Sequence, residues 1–197
     1  MYRIVFFGCG FLATWLIPPV LKLALNRMKR ISVILIDYEK IEEANLENSL
    51  FIYPFAGQYK TTNVMRLLKQ AFPNVSITPI TMKITRENIR RVPSFDLGIC
   101  TFDNFESRKI VNDYCVKKVT DLLHVGVGDV NSVAVAWKEY FDKIFKKEPE
   151  LRVCERIDMI KSGLLATSLT LRALEEYFDK NEKNSYMVTG YKIIRIE

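Results

Sequence analysis

A chain of 197 residues with 49% hydrophobic content holds enough apolar material for one domain with a sizeable core, which excludes an intrinsically disordered protein. Its 29 Lys and Arg against 23 Asp and Glu leave a formal charge of +6, a balance that suits a polyanionic ligand such as a nucleotide. No two of Cys9, Cys100, Cys115 and Cys154 stand at C-x-x-C spacing, which excludes a zinc ribbon, and the longest apolar stretch, 12–25, is broken by Pro18, Pro19 and Lys22 before it reaches membrane-spanning length.

Residues 3–8 (RIVFFG) form a short apolar run of the kind a buried parallel strand needs, and it starts so early that no secretory leader is expected. Gly8-Cys9-Gly10-Phe11-Leu12-Ala13 follows, a G-x-G-x-x-A turn leading into a helix predicted to run to about Met28. Glycines there permit a tight turn and close approach of phosphate to backbone, and the helix offers free N–H groups and the positive end of its dipole. Residues 32–37 (SVILID) read as a second buried strand, and Asp37 at its end is placed to accept hydrogen bonds from ribose hydroxyls.

Residues 39–59 are expected to be an ordered loop with short helical turns. A helix is predicted over 60–72, with Val64, Leu67, Leu68 and Ala71 on one face, stopped by Pro73-Asn74. Residues 75–80 alternate as a strand does, and Thr85 is placed to cap a short helix from Arg86. Residues 96–101 (DLGICT) are another buried strand; Asp103 and Asn104 follow it, and 105–118 is helical. Strands are predicted over 122–127 and 133–137, an amphipathic helix over 166–178, and a closing strand within 187–196.

Strand–helix alternation over the first two-thirds predicts an α/β chain: a Rossmann-like, mostly parallel sheet with helices on both faces, an antiparallel extension near the C-terminus, and a single domain over 1–197. Ligands of such sheets sit beyond the carboxyl ends of the strands, where Gly8, Asp37 and Asp103 fall. The residues leave some roles open. Asp103-Asn104 also suits a helix cap, and Arg108 could pair with Glu106 or Asp113 on the surface. His124, the sole histidine, lies on a predicted buried strand and reads as a core residue. Cys154 lies between Arg152 and Arg156, flanks that would lower a thiol pKa. No aromatic–basic interleaving is visible, which weighs against nucleic acid.

Three segments separate this chain from NAD-dependent dehydrogenases: DYEKIEEANLENSLF (37–51), GQYK (57–60) opening a helix, and TFDNFESRKIVND (101–113). With the GCGFLATWLIPPVLKL start, the strand pair over 123–137 and Cys154-Glu155, they resemble the ThiF/MoeB-like superfamily, which includes activating enzymes for ubiquitin-like proteins and sulfur carriers. The likeness spans most of the chain with motif order and spacing kept. It implies ATP rather than a nicotinamide cofactor. By motif position it implies Gly8 and Gly10 at the phosphates, Asp37 on ribose, Asn45 facing the nucleotide, and Lys60 on phosphate. It further implies Asp103 on Mg²⁺ beside the phosphates, and Asn104 and Arg108 shaping the pocket. The implied catalytic pair is Lys60 and Asp103. The implied chemistry is attack by the C-terminal carboxylate of a ubiquitin-like or sulfur-carrier protein on the α-phosphate, giving an acyl-adenylate and pyrophosphate. A cytoplasmic homodimer or heterodimer is expected.

The chain also departs from the pattern. Asn48 and Ser49 stand at the arginine and glutamine of N-L-x-R-Q, so a cation expected on the triphosphate is missing. Phe11 and Ala13 replace glycines, and Phe11 is expected to put bulk where phosphate approaches. With the first strand at residue 3, no preceding segment is expected to lend an arginine to a dimer partner. These departures favour a second reading, a catalytically inactive relative serving as a nucleotide-binding or protein-interaction scaffold.

Overall fold

Strands whose sequences are apolar at nearly every position lie in the middle of the sheet, because only there are both faces covered. The computed structural model describes residues 1–51, 55–128, 132–145, 160–189 and 192–196. In chain order the elements are β1 (Tyr2–Phe7), α1 (Phe11–Arg27), β2 (Ile31–Asp37), α2 (Lys60–Ala71), β3 (Ser76–Thr81), β4 (Leu97–Cys100), α3 (Phe105–Lys118), β5 (Asp121–Val127), β6 (Val133–Trp137), α4 (Phe141–Ile144), α5 (Ile160–Lys180), β7 (Ser185–Thr189) and β8 (Lys192–Ile196).

The described strands form one 8-stranded sheet in the order β3-β2-β1-β4-β5-β6-β7-β8. Pairings from β3 to β5 are parallel. Those from β5 to β8 are antiparallel, which is the extension expected near the C-terminus. Successive residues of a strand face opposite ways, and the two cores follow that period. Ile4 and Phe6 of β1, with Val33 and Leu35 of β2, pack against α1, α2 and α5 through Leu16, Ile17, Val64, Leu68, Ala173 and Leu174. Val5, Phe7, Ile34 and Ile36 pack on the other face against Ile110, Val111 and Cys115 of α3. Helix α1 is buried along most of its length, with Pro18 and Pro19 inside it, and packs against α5, which itself lies on β5 and β6.

Four elements differ from the sequence reading, among them α5, which begins at Ile160 and not at 166, and α4, where no helix was expected. The single closing strand is two strands, β7 and β8, paired antiparallel with Val188 opposite Ile193; the glycine at position 190 is the sequence signal for that split. The helix expected from Arg86 is replaced by a turn and a 3-10 helix over Ile89–Arg91. Thr85 and Asn88 exchange hydrogen bonds, Thr85 N–H to Asn88 Oδ1 at 2.8 Å and Asn88 N–H to Thr85 Oγ1 at 3.3 Å, the reciprocal pattern of a cap, so Thr85 caps the turn as expected and the length of the helix is what differs. Among the described residues, no helix is long and apolar enough to cross a membrane.

Candidate functional site

The sheet order turns back at β1: the chain runs outward through β2 and β3, then returns to place β4 on the other side of β1. Beyond the carboxyl ends of β1 and β4 the connections diverge and leave a crevice. Gly8 forms its floor. Its φ is +103°, and a Cβ there would lie 2.7 Å from Thr101 Oγ1 and 3.1 Å from the Phe102 nitrogen, so glycine is required by conformation and by space. The Thr101 hydroxyl hydrogen-bonds to the carbonyls of Phe7 (3.3 Å) and Gly8 (3.2 Å), tying the end of β4 to that of β1. The sequence reading gave Thr101 no role, although it opens the T-F-D-N segment.

Gly10 precedes the first turn of α1. No side chain caps the helix there, no acid lies in its first turn, and the space beside the Gly10 Cα is open. The first N–H groups of a helix have no intrahelical partner, so this end suits an anion. Asp37 braces it: its Oδ2 accepts the Cys9 N–H and its Oδ1 the Glu39 N–H, both at 2.8 Å. Burial raises the Asp37 pKa, against the lowering effect of those two bonds and of Lys60. The buried Cys9 thiol is pushed well above its ordinary value by burial and then by Asp37.

Lys60 opens α2 as predicted. A cation at a helix start opposes the dipole and so points to an anion nearby; within the protein Glu39 is one, its Oε2 2.5 Å from Nζ, and the Asp37 carboxylate acts on Lys60 as well. Across the mouth, Asp103 is exposed between β4 and α3. The Tyr38 hydroxyl pKa is raised by burial and then by Glu39, Asp37 and Asp103, with Lys60 opposing, so these charges share one rim.

Other residues singled out in the sequence sit close by in different settings. Asn104 caps α3, its Oδ1 accepting the Ser107 N–H at 2.8 Å. Arg108 is buried and pairs with neither Glu106 nor Asp113. Its guanidinium donates to the carbonyls of Val125 (2.8 Å), within β5, and Cys100 (3.4 Å), at the end of β4, under the Phe145 ring. Asn45 ends a 3-10 turn over Glu43–Asn45, and its Oδ1 accepts the Glu42 N–H at 3.0 Å. Asn48, at the motif-arginine position, is 1% exposed, and its carbonyl accepts the Trp15 indole N–H at 2.8 Å.

Phe11 requires a correction. Its ring does not fill the crevice; it is 4% exposed and points at α5, where a Cβ on Gly163 would meet Phe11 Cζ at 2.7 Å. The first turn of α1 carries the side chain toward α5, and Gly163 supplies the room.

His124 is a core residue as expected. Nε2 lies 3.0 Å from Asn112 Oδ1, the ring packs against both Phe141 and Phe145, and burial with the Arg108 charge pushes its pKa well below the ordinary value. Cys9, Cys100 and Cys115 are buried thiols, and burial pushes Cys115 up to about 12. Cys154 lies outside the described residues.

No curated protein matched the sequence. Among solved structures, E. coli MccB with ATP aligns with all of this chain and 63% of its own, at a TM-score of 0.76 and 18% identity. E. coli MccB with AMPCPP and MccA aligns equally, at 0.77 and 19%. PaaA aligns over all of this chain and 64% of its own, at 0.71 and 14%. At such identities the likeness is one of fold, and the chain spans less than two-thirds of each of these proteins. The sequence itself goes further: the ThiF family profile matches residues 2–186, and the chain belongs to the ThiF family.

Proposed function

We propose that the protein binds ATP in the crevice beyond β1 and β4 and adenylates the C-terminal carboxylate of a peptide or small protein, of which ubiquitin-like and sulfur-carrier proteins are the class expected. One observation carries the reading: the uncapped, acid-free start of α1, with Gly10 open to the crevice, lies at the reversal of the sheet order beside Gly8. MccB, which shares the fold, has been solved with ATP and with MccA, and this supports the reading.

The residues present fit the nucleotide. A carboxylate has about four acceptor sites, so Asp37 can hold the glycine loop and still accept ribose hydroxyls. The backbone N–H groups after Gly10 face the phosphates, Lys60 adds charge on the rim, and Asn104 and Arg108 fix α3, β4 and β5 around them. Mg²⁺ fits the exposed Asp103 carboxylate, since this ion commonly binds one or two carboxylates and keeps its waters; when bound it would neutralise phosphate charge. The protein's own part in the reaction is to place the carboxylate nucleophile and hold the phosphates in line. A second subunit, identical or not, would complete the charge around the triphosphate, in a cytoplasmic homodimer or heterodimer.

The buried Asn48 favours a second reading, in which nucleotide binds without turnover and the domain acts as a scaffold. Calorimetric titration with ATP and Mg²⁺, with NAD in parallel and Asp103→Ala as control, tests the first step. Micromolar ATP binding that is lost in the variant, with no NAD binding, supports the site; no binding of either nucleotide sinks it. ATP-pyrophosphate exchange in the presence of a carrier protein then separates enzyme from scaffold.

A further inference from the structure

We propose that Glu39 stands in for the phosphates: it holds the Lys60 ammonium at the crevice mouth until a polyphosphate displaces it, and so sets the preference of the site between nucleoside and triphosphate. The inference rests on the nucleotide reading above and adds a residue to which that reading gives no part.

The two partners of the ion pair differ in exposure. The Lys60 side chain is 6% exposed and the Glu39 side chain 43%. A buried ammonium needs an anion, because removing it from water without a partner is costly. An exposed carboxylate is rehydrated easily when it leaves. When a second anion arrives, therefore, Glu39 is the partner that moves. Its backbone stays in place, since its N–H is held by Asp37 Oδ1 at 2.8 Å and its carbonyl accepts the Lys60 N–H at 2.9 Å. Only the side chain has to swing.

The charges around the mouth give the exchange its direction. Three carboxylates, Asp37, Glu39 and Asp103, act on the Tyr38 hydroxyl, with Lys60 opposing them. A nucleoside carries no charge into this field. A triphosphate meets repulsion from Glu39 and finds Lys60 already engaged. Glu39 thus penalises the charged ligand selectively, and the penalty falls on the phosphate end, next to α2.

Glu39→Gln keeps the shape of the side chain and removes its charge. Wild type, Glu39→Gln, Lys60→Met and the double variant would be titrated with adenosine and with ATP in the presence of Mg²⁺. The expected result is ATP binding about tenfold tighter in Glu39→Gln, ~1.4 kcal/mol, with adenosine affinity within about twofold of wild type. In the Lys60→Met background the gain should disappear, which a general change of surface charge would not produce. Equal gains for adenosine and ATP, unchanged or weaker ATP binding, or a gain that persists without Lys60 each overturn the proposal while leaving the nucleotide site standing. Failure of all four proteins to bind either ligand overturns the proposal and the nucleotide reading together.

Discussion

Gly163→Ala tests whether Phe11 belongs to the contact between α1 and α5 or to the crevice. In an unobstructed helix interior, replacing glycine by alanine stabilises by about 1 kcal/mol. Here the added methyl would lie 2.7 Å from Phe11 Cζ and 3.4 Å from Cε1 and Cε2, where carbon atoms prefer about 3.5–4.0 Å. The ring is 4% exposed and close-packed, so it cannot retreat into solvent. Overpacking of this kind costs ~1–3 kcal/mol, which outweighs the helix gain and leaves a net loss of about 1 kcal/mol. For a domain of this size that lowers Tm by about 2–4 °C. In a Phe11→Leu background the obstruction is gone and the same substitution should stabilise by about 0.5–1 kcal/mol, giving a coupling of roughly 1.5–2 kcal/mol in a double-mutant cycle. Urea unfolding of the four proteins supplies the cycle, and ATP affinity should be the same in all of them. If Gly163→Ala stabilises wild type as much as it stabilises Phe11→Leu, the ring is not against Gly163 and the correction made for Phe11 is wrong.

Gly8→Ala should cost about 2–4 kcal/mol in urea unfolding, because a positive φ and contact with the backbone of Thr101 and Phe102 act together; an unchanged midpoint would show that the turn is not constrained. His124 is buried with its pKa depressed, so the unfolded chain takes up a proton first as pH falls. The stability that neutral His124 preserves is complete above pH ~6.5 and is lost below it, by up to ~1.4 kcal/mol per pH unit until the native pKa is reached. His124→Gln should lack that loss, and identical slopes for variant and wild type between pH 7.5 and 5.5 would refute the burial argument. Arg108→Met should cost about 2–4 kcal/mol, since it strips donors from two buried strand carbonyls, whereas the exposed Asp103→Ala should stay within about 0.5 kcal/mol in the same unfolding assay.

The sheet was legible because burial on both faces leaves its mark along a strand: β1, β2 and β4 carry apolar runs, with Gly8, Asp37 and Thr101 at their carboxyl ends. Helix α3 was legible at both ends, with Asn104 as its cap and Lys117 and Lys118 in its last turn. Partnerships between distant residues were not. The dipole argument demanded an anion near Lys60 but could not choose between Glu39 and a ligand. Phe11 follows Gly10 in the chain and so reads as a loop side chain; only α5, far along the sequence, decides where it points. A lone glycine in a helix reads merely as weak propensity, so Gly163 gave no sign of being its counterpart. Two of the departures from the family pattern are therefore unlike in kind. Phe11 is compensated by Gly163, so its ring packs on α5 and stays out of the glycine turn. Asn48 is buried under Trp15 and brings no charge to the rim, while Glu39 occupies the lysine that is there. On the proposed function, any shortfall in catalysis would arise from the charge around the triphosphate and not from the side chain at position 11, and a cation added at the mouth should do more for activity than a glycine restored there.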